Sequence, residues 1–195
     1  MLTEIRIYYE GDALLKPGFH RFFSGLRQRA KDKRCGFRLI PSRGTQCCRD
    51  FAIAIRANPN AWCILLKDSE GPDSGNLSVS LCNQNGWNPS QADSIFWMVE
   101  MMESWFHADK DAIESFYGAG FNRNALKANP KVEQIPKKDL EDGLRAATKN
   151  TGKGDYFDNK TLHGQKLLEL IDPSLVQRAA PNCRKLFRAV LARLA

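Results

Sequence analysis

One continuous apolar run, AWCILL at residues 61–66, constrains the fold of this chain more than any other feature. Such a run is typical of a central strand that is buried on both faces, as in parallel sheets. Residues 4–10 and 36–40 also have strand character and precede it. Helical spacing of apolar residues separates the three runs. The order strand, helix, strand, helix, strand predicts right-handed crossovers and a mostly parallel sheet.

The remaining elements follow from periodicity and from glycine and proline positions. Residues 71–92 are rich in Gly, Pro, Asn and Ser and predict a long loop. A fourth strand is expected to end near Val99, followed by a short helix. Further helices are expected at 18–32, from 44, and at 109–117, 137–149, 160–171 and 181–194. We expect an α/β core at 1–117 with a helical extension at 118–195 packed on it.

Composition predicts a globular protein that stays in the cytoplasm. Hydrophobic residues make up 43% of the 195 positions, which is enough for a sizeable core. No segment approaches the roughly 20 apolar residues of a membrane span, so no membrane association is expected. The six cysteines form no CxxC pair. They predict buried free thiols in a reducing compartment.

Charge is distributed unevenly along the chain. The net charge of +7 divides into −2 over residues 1–15, +9 over 16–56, −5 over 57–136 and +5 over 137–195. Basic surface attracts phosphate backbones, but it carries no information about base identity. The first basic block could form a phosphate track, dock an acidic protein or be a solvated helical surface. The candidate cations within this block are Arg27, Arg29, Lys31, Lys33, Arg34, Arg38 and Arg43.

Acidic residues follow two of the predicted strands. Glu10 ends the first strand, and Asp68 and Glu70 follow the third. Carboxyl ends of parallel strands meet in one crevice, and strand positions i and i+2 point to the same side. Three converging carboxylates repel each other unless they are protonated or bridged by cations, and Mg²⁺ or Mn²⁺ prefers oxygen ligands. The pattern therefore predicts a divalent metal site.

These motifs carry a family resemblance. YEGD at 9–12 and LLKDSE at 65–70 resemble the two halves of the Toprim signature, which is shared by topoisomerases, primases and nucleases of the overcoming-lysogenization-defect type. Over nearly its whole length the chain resembles the bacterial family of domain of unknown function 4276. That wider resemblance rests on 7–23, 65–70, 96–109 and 159–187. It implies a Toprim-like three-layer sandwich with a mostly parallel sheet and a helical C-terminal extension.

The resemblance also implies functional roles. Glu10 would be a metal ligand or general base, Asp68 and Glu70 the principal ligands, and Glu103 an additional acid from a helix. Two departures stand out: many Toprim domains have Asp at the position of Glu70, and an apolar residue is more usual at Lys67. The family implies metal-dependent phosphodiester cleavage, and its members are often encoded beside an ATPase in defence-type operons.

Other candidates rest on their local context alone. If the helix at 160–171 folds over the acids, Lys160 would neutralise charge on a scissile phosphate, and His163 would contact phosphate or transfer a proton. Asp109 is as suited to capping a helix as to binding metal. Trp87 is the tryptophan expected to be exposed for base stacking.

The leading hypothesis is therefore a nuclease that depends on Mg²⁺ or Mn²⁺, acts on DNA or RNA, and is regulated by an AAA-type ATPase partner. Two alternatives remain open. One is a catalytically silent subunit that uses the same surfaces to bind an ATPase complex. The other is a phosphoryl-transfer enzyme that acts on a small phosphate ester.

Overall fold

The computed structural model describes residues 2–195 and contains one parallel sheet. Its strands are β1 (Glu4–Glu10), β2 (Gly36–Ser42), β3 (Ala61–Asp68) and β4 (Ile95–Met98). The strand order is β2-β1-β3-β4, and each neighbouring pair is parallel. The predicted α/β fold with a parallel sheet is confirmed.

Helices connect the strands and follow the last one. Those that connect strands are α1 (Lys16–Phe22), α2 (Ser24–Asp32), α3 (Gln46–Ala57) and α4 (Leu77–Asn85). Those that follow β4 are α5 (Glu103–Phe106), α6 (Lys110–Tyr117), α7 (Lys137–Thr148), α8 (Lys160–Leu170), α9 (Pro173–Ala179) and α10 (Pro181–Arg193). Short 3-10 turns lie at 13–15, 89–94, 123–125, 132–134 and 156–159. No helix within residues 2–195 is long and apolar enough to span a membrane.

Several predicted element boundaries were wrong. The predicted loop at 71–92 contains helix α4, whose Cys82 is fully buried against the sheet. The helix predicted at 18–32 is interrupted at Phe23 and forms α1 and α2. Strand β2 continues through Pro41, which an edge strand tolerates because its outer N–H positions have no partner. Pro173 also begins α9, with Asp172 as its N-cap, a helix that the sequence did not predict.

Alternating side chains of the central strands build a core on each face of the sheet. On β3, Ile64 and Leu66 belong to the larger core, and Cys63 and Leu65 to the smaller one. Helices α3 and α4 cover the smaller core. The other helices cover the larger core. Because both faces of β3 are covered, its sequence is continuously apolar.

The larger core joins the C-terminal helices to the sheet. Phe22 of α1 stacks on Trp105 of α5 with ring centroids 5.0 Å apart, and it meets Phe187 of α10 edge to face at 5.8 Å. Residues after 118 thus share one core with the sheet. The predicted division between 117 and 118 stays a prediction. All six cysteines are free, and Cys48 is the one that is partly exposed.

His107 is buried in the larger core near the start of α6. Its Nδ1 lies 3.2 Å from the backbone oxygen of Glu103, and its Nε2 has no hydrogen-bond partner. Burial disfavours the charged imidazolium and lowers the pKa of His107 to about 4. The folded protein therefore resists protonation of His107 at pH values where the unfolded chain accepts it.

This difference predicts a loss of stability in mild acid. His107 titrates near pH 6.5 in the unfolded chain, so its contribution to stability is present above that pH and is lost as the pH falls toward 4. Between pH 7.5 and 5.0 the loss should be about 2 kcal/mol. Urea unfolding should show a smaller pH dependence in His107→Asn than in the unchanged protein. Equal pH dependence in the two proteins would contradict this explanation.

Candidate functional site

A small cavity opens at the carboxyl ends of β1 and β3. Its volume is about 160 Å³, and Glu10, Asp68, Glu103 and Lys160 contribute charged groups to its wall. The rest of the wall is formed by Gly11, Asp12, Leu15, Met102 and Thr161. In parallel α/β sheets, ligands bind in the crevice outside the carboxyl ends of the strands. The cavity is therefore the candidate functional site.

Glu10 is the last residue of β1, and its carboxylate is held on one side. Oε2 accepts hydrogen bonds from Lys67 Nζ at 2.7 Å and from the backbone N–H of Asp68 at 3.3 Å. Burial opposes the charge on Lys67, but the hydrogen bond to Glu10 and the attraction of nearby negative groups, chiefly Glu10, together outweigh burial and raise the pKa of Lys67. Lys67, which departs from the expected apolar residue, thus orients Glu10.

Asp68 is the last residue of β3, and its Oδ1 is buried without a hydrogen-bond partner. Burial raises the pKa of Asp68 well above its usual range, and the nearby carboxylates of Glu103 and Glu10 raise it further. Lys160 opposes this shift. The predicted convergence of acids at the strand ends is thus present for Glu10 and Asp68, with Glu103 as the third carboxylate.

Glu103 begins α5, and its side chain has no exposed surface. Oε1 accepts a hydrogen bond from the Tyr156 hydroxyl at 2.6 Å and lies 3.1 Å from Lys160 Nζ. Oε2 is buried and has no partner. A buried carboxylate is costly unless it is paired, so these two contacts stabilise its charged form. The second oxygen is left for a ligand.

Tyr156 is a site residue that the sequence reasoning missed. It is fully buried, and burial together with Glu103 raises its pKa well above the usual range, so its hydroxyl stays protonated and donates to Glu103. Its backbone N–H donates to Thr148 Oγ1 at 2.8 Å, which anchors the turn before α8. A Cβ at Gly164 would lie 3.1 Å from the Tyr156 hydroxyl oxygen, so glycine leaves room for this side chain.

Helix α8 brings Lys160 to the cavity but not His163. Lys160 is the first residue of α8, and its side chain is 46% exposed beside the buried Glu103. His163 is buried, with Nδ1 3.0 Å from the Tyr117 hydroxyl and aromatic rings of Phe116 and Tyr156 around it. Burial lowers the pKa of His163. Its contacts are those of a packed core residue, and the catalytic role predicted for it stays a prediction.

Glu70 also lies outside the cavity wall. The expectation that Asp68 and Glu70 share one side of a strand is wrong here, because β3 ends at Asp68. Glu70 has a left-handed backbone (φ 59°), its N–H donates to the Glu100 carbonyl at 3.1 Å, and its carboxylate pairs with Lys137. Glu100 is buried and accepts a hydrogen bond from the Lys137 backbone N–H at 3.0 Å. The ligand role of Glu70 stays a prediction.

A larger depression of about 510 Å³ lies beside α6 and α9, but most of its charged groups already have partners. Arg123 pairs with Asp111 and Glu114, and Lys110 donates to two backbone carbonyls. Asp109 accepts hydrogen bonds from the backbone N–H groups of Ala112 and Asp172. Asp109 is thus the N-cap of α6, and helix capping was one of the two roles predicted for it.

Trp87 does not have the exposure that the sequence predicted. It is partly buried and packs on Phe51 with ring centroids 5.4 Å apart. The cations of the first basic block are all exposed. Two of them pair with carboxylates, Arg38 with Glu4 and Arg43 with Asp12.

The carboxylates of the cavity wall are the candidate ligands for a divalent metal. In the part of the chain that the structure describes, no group of three or more His, Cys, Asp or Glu has the spacing of a formed metal site. Two buried carboxylate oxygens without partners, Asp68 Oδ1 and Glu103 Oε2, nevertheless belong to residues of the same cavity wall. Hard oxygen donors of this kind suit Mg²⁺ or Mn²⁺, and a cation would offset their mutual repulsion. The residues therefore fit such a metal.

Comparisons with known proteins agree with this architecture. The chain has the fold of the C-terminal region of the Burkholderia pseudomallei OLD protein, with a TM-score of 0.62, 13% identity and full coverage of both chains. This similarity confirms the predicted Toprim-like α/β fold. No curated protein matches the sequence. The sequence profile of the domain of unknown function DUF4276 matches residues 12–191. The chain is thus a member of the DUF4276 family.

Proposed function

We propose that this chain is a nuclease that depends on Mg²⁺ or Mn²⁺ and cleaves phosphodiester bonds in DNA or RNA. One observation carries the proposal. The unpartnered buried oxygens of Asp68 and Glu103 belong to the wall of one cavity that also contains the cation of Lys160. This combination suits a cation and an anionic phosphate together, and it lies where α/β sheets bind ligands.

Asp68 and Glu103 would hold the metal, with Glu10 beside them. The bound metal would activate a water molecule and stabilise the leaving oxygen of an in-line displacement. Tyr156 and Lys160 hold Oε1 of Glu103, which keeps Oε2 available. Lys67 holds Oε2 of Glu10, which leaves Oε1 to bind metal or to accept a proton from water.

Lys160 would act on the phosphate. Its side chain is nearly half exposed, and its ammonium group contacts the buried Glu103. A positive group in that position neutralises charge that develops on a scissile phosphate. The narrow cavity suits one backbone phosphate, with the rest of the nucleic acid lying outside it.

We also propose that an ATPase partner regulates cleavage in a bacterial defence system. The support is the resemblance of this chain to DUF4276 proteins that are encoded beside ATPases. Cleavage should therefore be measured both with the chain alone and with any ATPase encoded beside it.

Replacing Asp68 tests the proposed chemistry directly. Asp68→Asn keeps the size of the side chain but removes a metal ligand, so metal-dependent cleavage should fall roughly 100-fold or more. Labelled single-stranded and double-stranded DNA and RNA would be incubated with Mg²⁺, Mn²⁺ or EDTA, and Mn²⁺ binding would be measured by calorimetry. Asp142→Asn is the matched control, because Asp142 is an exposed acid of α7 in a surface pair.

The outcomes separate the candidate functions. Cleavage that needs metal and is lost in Asp68→Asn but not in Asp142→Asn supports the nuclease. Mn²⁺ binding without cleavage, with the ATPase present or absent, contradicts the nuclease and favours the silent binding subunit. Hydrolysis of short phosphate esters but not of polymers favours the phosphoryl-transfer alternative. Absence of Mn²⁺ binding by the unchanged protein contradicts the metal site itself.

Tyr156→Phe tests whether the tyrosine hydroxyl prepares Glu103 for metal. The substitution removes one of the two hydrogen-bonding contacts to Oε1, so Glu103 should lose its fixed orientation. We expect Mn²⁺ affinity to fall by roughly 10-fold. Tyr117→Phe is the matched control, because it also removes a buried hydroxyl, but that hydroxyl contacts His163 rather than Glu103. Equal Mn²⁺ affinity in the two variants would contradict this role of Tyr156.

A further inference from the structure

The fold joins two basic segments that are far apart in the sequence. One is residues 24–34, which form α2 and the two residues after it, and the other is residues 181–195, which include α10. Phe187 of α10 packs on Phe23 with ring centroids 5.6 Å apart. At the far end of the helices, Lys33 Nζ donates to the carbonyl oxygen of Ala195 at 2.7 Å. We name these two segments together the α2/α10 surface.

This surface holds the net charge of the whole chain. Residues 24–34 contain five cations and one acid, and residues 181–195 contain four cations and no acid. The surface thus carries a net charge of +8. Because the whole chain carries +7, the remaining residues together carry −1. The sequence shows two separate basic blocks, whereas the fold concentrates their charge in one region.

The cations of the α2/α10 surface are exposed and have no side-chain carboxylate partners. They are Arg27, Arg29, Lys31, Lys33, Arg34, Arg184, Lys185, Arg188 and Arg193, all of them exposed. None of the nine forms an ion pair with an acid in residues 2–195. The one acid within the two segments, Asp32, accepts a hydrogen bond from Gln28 instead. Such unneutralised charge attracts an anionic partner.

Part of this surface forms a groove that is lined by three cations. Arg27, Lys31 and Arg34 line a depression of about 370 Å³ together with Cys35, Gly36 and Phe37. Arg27 and Lys31 lie about one turn apart on α2, roughly 6 Å along the helix axis. Arg34 follows the end of this helix with a left-handed backbone (φ 55°).

The groove lies at the amino ends of the strands, whereas the cavity lies at their carboxyl ends. Gly36 begins β2 and pairs with Glu4, the first residue of β1, whereas Glu10 at the cavity is the last residue of β1. Arg193 of α10 stacks over Trp62, near the start of β3, at 4.8 Å from the ring centroid. A strand of this length separates the two regions by roughly 20 Å. The surface is therefore distinct from the candidate metal site.

We propose that the α2/α10 surface binds the phosphate backbone of a nucleic acid at a position separate from the cavity. Six of the nine cations are arginines, whose planar guanidinium groups suit bidentate contacts to phosphate. An acidic protein partner would also need an apolar interface centre. Of the large exposed hydrophobic side chains, Leu191 alone lies in the surface. Charge and composition therefore favour nucleic acid over protein.

Nucleic-acid binding without metal tests this proposal independently of cleavage. Fluorescence anisotropy in EDTA would follow labelled duplex DNA, single-stranded DNA and RNA over a range of salt concentrations. The test variant combines Arg27→Gln, Lys31→Gln and Arg188→Gln. The matched control combines Lys131→Gln, Lys138→Gln and Lys149→Gln, which are exposed cations elsewhere that change the net charge equally. Thermal unfolding would establish that both variants remain folded.

We expect the test variant to bind at least roughly tenfold more weakly at moderate salt and to reduce the slope of log affinity against log salt by about 2–3 for duplex DNA. The control variant should bind like the unchanged protein. Equal losses in both variants, or no binding by the unchanged protein, would overturn the proposal. So would unchanged nucleic-acid binding together with lost binding of polyglutamate, which would indicate an acidic protein partner. Binding through this surface without any cleavage would count against the proposed nuclease alone.

Discussion

The buried carboxylate of Glu103 imposes the strongest requirement on this structure. A charge without exposed surface needs partners, and both contacts come from the C-terminal part of the chain, Tyr156 before α8 and Lys160 at its start. Those contacts require α8 to lie across the carboxyl ends of the strands. Gly164 gives the Tyr156 hydroxyl the space it occupies. The helical extension therefore completes the cavity wall that the sheet begins, and the site depends on both parts.

The parallel sheet also separates two kinds of charge. Glu10 and Asp68 end neighbouring strands, so these acids lie together at the carboxyl ends of the strands. The turn from α2 into β2 lies at the amino ends of the strands, where α10 adds further cations. In the proposed function, one region would attract phosphate and the other would hold metal. The sign of the net charge alone would not reveal this arrangement, since the acids and the cations lie at opposite ends of the same strands.

Local patterns predicted the parts of the fold that depend on neighbouring residues. The run at 61–66 indicated a doubly buried strand, and the strand ends placed Glu10 and Asp68 at one edge. Such patterns could not predict contacts between residues that are far apart in the sequence. Tyr156 lies 53 positions from Glu103, and Glu70 turns away because its backbone pairs with Glu100 in a left-handed conformation. Helix α4 was missed because its Ser and Asn residues resemble a loop, although Cys82 packs on the sheet.

We propose that Asp68 and Glu103 hold one divalent cation with oxygens that have no other partner. Anomalous diffraction from crystals soaked in Mn²⁺ would locate the ion without any assay of activity. We expect a peak within about 2.5 Å of both Asp68 Oδ1 and Glu103 Oε2. A saturated crystal with no peak in the cavity, or with a peak coordinated by Glu70 and neither of these oxygens, would contradict it.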